Sequence, residues 1–308
     1  MAKSAFSKMN FYSNYKAGFI SISGLPNSGK STLLNAICKT NLSAVSPKPQ
    51  TTRYHIKGII TEENYQMVFI DTPGFLTPKT KIEKIMKTET DRAIKDDADI
   101  ILLVIEPDTK YFEKNKDFFI LISKFKKQII AAINKIDAHS IQEINEIKKA
   151  IIEIYGNIQI IEISALKRIG LDELKKKIAE NLPFSPPYYY DDILSDKWER
   201  YFVCEIIREQ IFNLYRDEIP YSTEVGIEYF RENQTPLDIL ANIYVSKKSH
   251  KPILLGQQGK AIKKLRETSL RKIESFLGKK VRLELFVKIR EDWQNDLTFI
   301  NNLIRDYK

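Results

Sequence analysis

From Phe19 to about Asn181, short apolar runs alternate with longer polar stretches in which apolar residues return at helical spacing. The runs are "FISIS", "YQMVFID", "ADIILLVIE", "QIIAAINK" and "IQIIEIS". A run that is apolar at nearly every position is a strand buried on both faces, and the amphipathic helices between such strands are what covers it. The pattern therefore predicts a doubly wound, mostly parallel α/β sheet. At "LPFSPPYYYDD" it stops. Pro183, Pro186 and Pro187 fix their own φ and bias their neighbours toward extended backbone, which predicts a linker over 182–194. Beyond it, Tyr201, Cys204, Ile207, Ile211, Leu214 and Tyr215 recur at helical spacing, so their aromatics are expected in a core. Two strand-like stretches follow, "TEVGIEYFRE" and "LDILANIYVSK". A glycine-hinged loop comes next, then a helix with Ile262, Leu265, Ile273 and Phe276 inward, and the strand "VRLELFVKI". The order is α-β-β-α-α-β, an α+β domain. The expected division is an extension over 1–16, an α/β domain over 17–181, the linker, and the α+β domain over 195–308. A chain of 308 residues suffices for two cores.

Charge sharpens this division. The chain carries a net +9, but residues 247–290 hold fourteen Lys and Arg against three Glu, so the remainder is slightly acidic. Excess confined to one segment points to a polyanionic partner. Cys38 and Cys204 lie far apart without metal-ligand spacing, which argues against a disulfide framework or zinc site and fits a reducing cytoplasm. The N-terminal "MAKSAFSKMNFYSNYKAG" has no apolar core segment, and no apolar run approaches the ~20 residues that span a bilayer. A soluble cytoplasmic protein is expected, with peripheral contact at a membrane surface left open. His55, His139 and His250 form no triad or metal pattern and are expected at surface or turn positions.

Four short motifs carry chemistry. Gly24-Leu25-Pro26-Asn27-Ser28-Gly29-Lys30-Ser31, followed by Thr32, lies between a predicted strand and a predicted helix and satisfies the phosphate-loop pattern. Small residues let successive backbone N–H groups surround a β-phosphate, Lys30 bridges β- and γ-phosphates, and the Ser31 hydroxyl is a Mg²⁺ ligand. Asp71-Thr72-Pro73-Gly74 ends a strand, with a carboxylate for Mg²⁺ and a glycine N–H for the γ-phosphate. Asn134-Lys135-Ile136-Asp137 ends another strand, and Ser164-Ala165-Leu166 a third. Ligands of open parallel sheets sit at the carboxyl ends of strands, so all four converge on one rim. The Asp137 carboxylate can accept from guanine N1–H and its exocyclic amine, whereas adenine has no N1–H. GTP and GDP are the expected ligands.

These motifs, with "SPKPQTTRYHIKGI", "DTPGF" and "SALK", resemble the Era family of bacterial GTPases, within the translation-factor-like small GTPases. The resemblance implies that Thr52 is the switch I threonine reaching Mg²⁺ and the γ-phosphate, with Thr51 as the alternative. It implies catalytic work by Lys30, Thr52 and Gly74, and slow turnover. Phe75 stands where Ras-like enzymes place the glutamine that orients the attacking water. It further implies that Asn27 helps bind K⁺, so K⁺-stimulated hydrolysis is expected.

The resemblance extends through "SDKWERYFVCEIIREQIF", "EIPYSTEVGIEYF" and "VRLELFVKIREDW" to a KH-type (type II) RNA-binding domain. Gly256-Gln257-Gln258-Gly259 sits between two predicted helices in the basic segment, as a KH clamp requires, with Lys260, Lys263 and Lys264 supplying cations. Many KH loops hold a basic residue between the glycines. Here Gln257 and Gln258 contribute hydrogen bonds without charge. The partners implied are the 3′ region of 16S ribosomal RNA and the 30S subunit, in whose assembly a monomeric switch would act. Rival readings are a membrane-surface GTPase recognising anionic lipid, a constitutive RNA binder with a vestigial GTPase half, and a P-loop kinase. The intact Lys30, Ser31, Asp71, Asn134 and Asp137 oppose the second, and the two guanine motifs oppose the last.

Overall fold

The computed structural model describes residues 14–46, 48, 51–73, 78–231 and 236–306. The chain divides into two compact units, Met1–Leu42, Arg53–Phe75 and Lys87–Asp196 in the first, and Ser43–Thr52, Leu76–Met86 and Lys197–Lys308 in the second.

In chain order the first unit contains β1 (Lys16–Ser23), α1 (Lys30–Cys38), β2 (Ile56–Thr61), β3 (Tyr65–Asp71), the later turns of α2 (Lys81–Arg92) and β4 (Ile100–Ile105). They are followed by α3 (Thr109–Lys114), α4 (Lys116–Ser123), β5 (Gln128–Ile133), α5 (Ile141–Tyr155), β6 (Gln159–Glu162) and α6 (Leu171–Asn181). The six strands form one sheet in the order β2-β3-β1-β4-β5-β6, parallel throughout except β2, which runs antiparallel to β3. Every residue of β4 is buried, which is what the uninterrupted run "IILLVI" demands. On one face Ile101, Leu103 and Ile105 pack with Phe112, Phe119, Ile147 and Ile151. The rings of Phe112 and Phe119 stack there at 4.1 Å. Because β1 lies between β3 and β4, the loop leaving β1 opens at the point where the winding reverses direction.

The sequence pattern does not signal β2, and a glycine explains why. A Cβ on Gly58 would lie 2.6 Å from Leu34 Cδ1 and 2.8 Å from Cys38 Sγ, so this edge strand omits a side chain where α1 passes over it. The segment expected as a linker runs along the same edge. Buried Gln66 accepts from the Tyr188 and Tyr189 amides at 2.7 and 3.0 Å, and the Ile59 amide donates to the Leu194 carbonyl at 2.9 Å.

The second unit contains α7 (Glu199–Leu214), β7 (Thr223–Arg231), β8 (Leu237–Val245), α8 (His250–Leu255), α9 (Lys260–Leu277), β9 (Val281–Ile289) and α10 (Leu297–Asp306). The sheet order is β7-β8-β9, with β7 antiparallel and β9 parallel to β8. The α-β-β-α-α-β expectation holds and α10 adds to it, burying Phe299, Ile300 and Leu303. Helix α7 is buried around most of its circumference. Its Arg208 is fully buried, forks onto Glu205 one turn away and donates to the Thr51 carbonyl, while Lys48 donates to the carbonyls of Phe212 and Tyr215 at the end of α7. Removing one partner of such a buried pair leaves an uncompensated charge.

His250, expected at a surface or turn position, lies in the core instead. His250 is 2% exposed, its Nδ1 lies 2.9 Å from Ser222 Oγ, and the neighbouring Ser222 carbonyl accepts from the indole N–H of fully buried Trp293 at 2.9 Å. A local hydrogen-bond partner lets this histidine pack in the core. None of the described helices is long and apolar enough to cross a membrane.

Candidate nucleotide and RNA sites

The nucleotide site grows from the loop between β1 and α1. Asn27 adopts φ 63° and Gly29 φ 96°. A Cβ on Gly29 would fall 2.2 Å from Asn134 Nδ2, so positive φ and close approach both exclude a side chain there. Asn134, 2% exposed, is the reason for that closeness. Its Nδ2 donates to the Ser28 carbonyl at 2.9 Å and its Oδ1 accepts from the Ala165 amide at 2.9 Å. One side chain thus joins the phosphate loop, the end of β5 and the loop after β6. The Ser164 hydroxyl closes that last loop by accepting from the Lys167 amide at 3.1 Å, and Leu166 is exposed beside it. Ile136 is half-buried, and its amide lies 3.3 Å from the Ile163 carbonyl.

Lys30, the first residue of α1, is 7% exposed and donates to the carbonyls of Gly24 and Leu25 at 3.1 and 2.8 Å. Burial pushes its pKa down to about 8, against the pull of Asp71. A buried ammonium whose hydrogen bonds among the described residues go to neutral carbonyls is suited to an incoming polyanion. Ser31 Oγ donates to Asp71 Oδ2 at 2.8 Å, bringing two of the expected Mg²⁺ ligands into contact. Ser28 Oγ is buried in the same loop without a hydrogen-bond partner among the described residues. A hydroxyl beside a carboxylate, with an unsatisfied buried hydroxyl in the same loop, suits a Mg²⁺–phosphate group, which Ser31 and Asp71 would hold. No cluster of three or more His, Cys, Asp or Glu suited to a metal occurs among the described residues.

Thr72 is buried and donates to the Ile22 carbonyl at 3.1 Å, and the Pro73 carbonyl accepts from Thr90 Oγ1 at 3.2 Å. Gly74 and Phe75, expected to meet the γ-phosphate and to replace a water-orienting glutamine, lie outside the described residues. Thr51 and Thr52 are buried and belong to the second unit. Asp137 sits in a short 3₁₀ turn at the rim with an exposed carboxylate. Glu106, immediately after β4, was not among the expected residues, although its position at the carboxyl end of a central strand is the signal that finds it.

In the second unit, Gly256 at φ 70° and Gly259 at φ 75° bracket Gln257 and Gln258, both exposed. A Cβ on Gly256 would meet Ala261 Cβ at 2.5 Å, whereas one on Gly259 would meet nothing within 4 Å. The first glycine is required by packing. The second leaves backbone open to close approach from outside, as a sugar-phosphate chain requires. Lys260, Lys263 and Lys264 are exposed on the first turns of α9.

The chain matches a family described as 50S ribosome-binding GTPase over residues 19–135 and a KH domain over residues 218–294. It is 44% identical to GTPase Era of Elusimicrobium minutum over 92% of this chain and 94% of that protein, and 39% identical to GTPase Era of Thermoanaerobacter sp. over 94% and 96%. A crystal structure of an Aquifex aeolicus Era variant bound to GDP and aluminium fluoride superposes with a TM-score of 0.88 at 32% identity, covering 94% of this chain and 98% of that one. Era in complex with MgGDPNP and nucleotides 1506–1542 of 16S ribosomal RNA gives the same score and coverage at 33% identity. By these relatives, matched over more than nine-tenths of its length at 39–44% identity, the chain belongs to the Era family of GTPases.

Proposed function

We propose that the protein is a slow GTP-hydrolysing switch that binds the 3′ region of 16S ribosomal RNA through residues 247–290 and acts in assembly of the 30S subunit. The observation that carries the nucleotide half is Asn134, which ties three of the four sequence motifs into one hydrogen-bonded rim. Lys30 and the loop amides hold the β- and γ-phosphates and stabilise charge that develops during transfer. Ser31 and Asp71 would hold Mg²⁺, which would supply neutralisation of phosphate charge. Asp137 reads the guanine. Thr52 is the residue that γ-phosphate contact would order, and its release after hydrolysis would be the switching event.

The RNA half rests on the open face at Gly259 and the exposed lysines after it, together with the RNA complex described for a relative at 33% identity. Steady-state GTP turnover in K⁺ and in Na⁺ buffers, together with binding of a 16S 3′-end oligonucleotide against a shuffled control, tests the proposal. Faster turnover in K⁺, lost in Asn27→Ala, is expected, along with preferential binding of the ribosomal sequence. Tighter binding of ATP than GTP, or no preference between the RNAs, would overturn it. Anionic vesicles added as competitor distinguish lipid recognition by the same basic segment, which would displace the RNA.

A further inference from the structure

Asp137 has two potential cations within two residues on either side, Lys135 and His139. A carboxylate so flanked would ordinarily be drawn into an ion pair with one of them. Neither takes it. The Lys135 ammonium lies 2.7 Å from Glu106 Oε2, and His139 Nε2 lies 3.5 Å from Glu106 Oε1, so one carboxylate engages both side chains. On its other side, His139 Nδ1 faces Glu143 at 3.7 Å. Glu143 is itself committed to the start of α5, where its Oε2 accepts from the Ser140 amide and hydroxyl at 2.8 Å each. The backbone assists. Lys135 adopts φ 65°, a conformation non-glycine residues seldom hold, and its stem leads to Glu106 at the end of the neighbouring strand β4. Asp137 is left exposed and engages in no ion pair or hydrogen bond among the described residues.

We infer that Glu106 is a specificity-determining positioning residue, a decoy carboxylate that withholds Lys135 and His139 from Asp137 and so keeps Asp137 open to the guanine edge. Without Glu106, the Lys135 ammonium, two residues away, can fold over Asp137, and guanine must displace it before binding. The inference rests on the reading of Asp137 as the guanine acceptor, and two backgrounds separate the two ideas.

Calorimetry on the full chain compares GDP and XDP as probes. Asp137→Asn, which offers an N–H to the 2-carbonyl of xanthine, should exchange GDP preference for XDP preference. If it does not, the reading of Asp137 fails, and the inference with it. Glu106→Gln in the unmodified chain should weaken GDP about fivefold, the upper range for a surface ion pair that must be broken. Added to Asp137→Asn, the same change should leave XDP affinity unaltered, because no carboxylate remains to be masked. Glu106→Asp, which keeps the charge, should restore most of the GDP affinity. Equal weakening in both backgrounds, no weakening of GDP, or a defect that Glu106→Asp shares in full would each overturn the role of Glu106.

Discussion

The two anion-seeking loops solve opposite problems. At the nucleotide loop the working groups are withdrawn from water, with Lys30 7% exposed and Asn134 2%, and every direction is set by hydrogen bonds of 2.8 to 3.1 Å. At the glycine-hinged loop the cations stand in solvent and Gly259 presents open space. A small ligand of fixed shape rewards buried, pre-aimed groups, because each strengthens in low dielectric and loses little entropy on binding. A flexible strand rewards exposed charges that track phosphates over many nucleotides, at the cost of sensitivity to salt. Substitution in the first loop should therefore give large effects, coupled to folding stability. Substitution in the second should give small, additive effects that leave stability unchanged.

The largest effect is expected at Lys30. Folding holds its pKa at about 8 against an ordinary 10.5, a difference worth about 3 kcal/mol against the folded state while the side chain stays charged. Between pH 8 and 10.5 the unfolded chain binds the proton that the folded chain has released. The penalty is therefore complete below pH 8 and fades as pH rises toward 10.5. Lys30→Met should abolish GTP turnover by at least ~10²-fold. It should also raise the Tm of the nucleotide-free protein at pH 7, with the gain shrinking in melts at pH 9 and above. If Lys30→Met lowers the Tm along with activity, the burial of this ammonium is not a strain on the fold, and the loop is packed like an ordinary core.

Asn134 comes next. Replacing it by alanine leaves the Ser28 carbonyl and the Ala165 amide without their partner, each costing about 1 to 3 kcal/mol when buried. Calorimetry should find GDP bound ~10²-fold more weakly, and urea melts should show a loss of stability of the same sign. If affinity falls while stability holds, the rim is aligned by nucleotide and not beforehand.

Much of this was legible in the chain. Continuous apolar runs gave five strands of the first sheet, because burial on both faces leaves no room for polar residues, and motif spacing placed the rim. What escaped needed a neighbour to explain it. β2 was hidden by Gly58, whose missing side chain answers to Leu34 and Cys38 of α1. The signal for α10 was present in Phe299, Ile300 and Leu303 at helical spacing, beyond the last strand that the domain pattern required. His250 read as a surface residue, since nothing in sequence announces Ser222 twenty-eight positions earlier as its partner. Likewise, Lys30 and Asn134 were identified by type, but the burial that gives the first its low pKa and the second its bridging role is a property of the packed sheet.

The smallest effects should come from the second loop, and they decide whether the contrast is one of kind. If Lys260, Lys263 and Lys264 each meet a phosphate through solvent, alanine at any one should weaken single-stranded RNA binding by a few fold. The slope of log K against log salt should then fall by roughly 0.7. Because the three side chains are exposed, thermal melts of the variants should overlay that of the parent, and the losses in a triple variant should add. Losses far beyond additivity, or a Tm that falls with each lysine, would mean that these cations are built into a site as interlocked as the one around Asn134. Exposure would then have been a poor guide to how this loop holds its ligand.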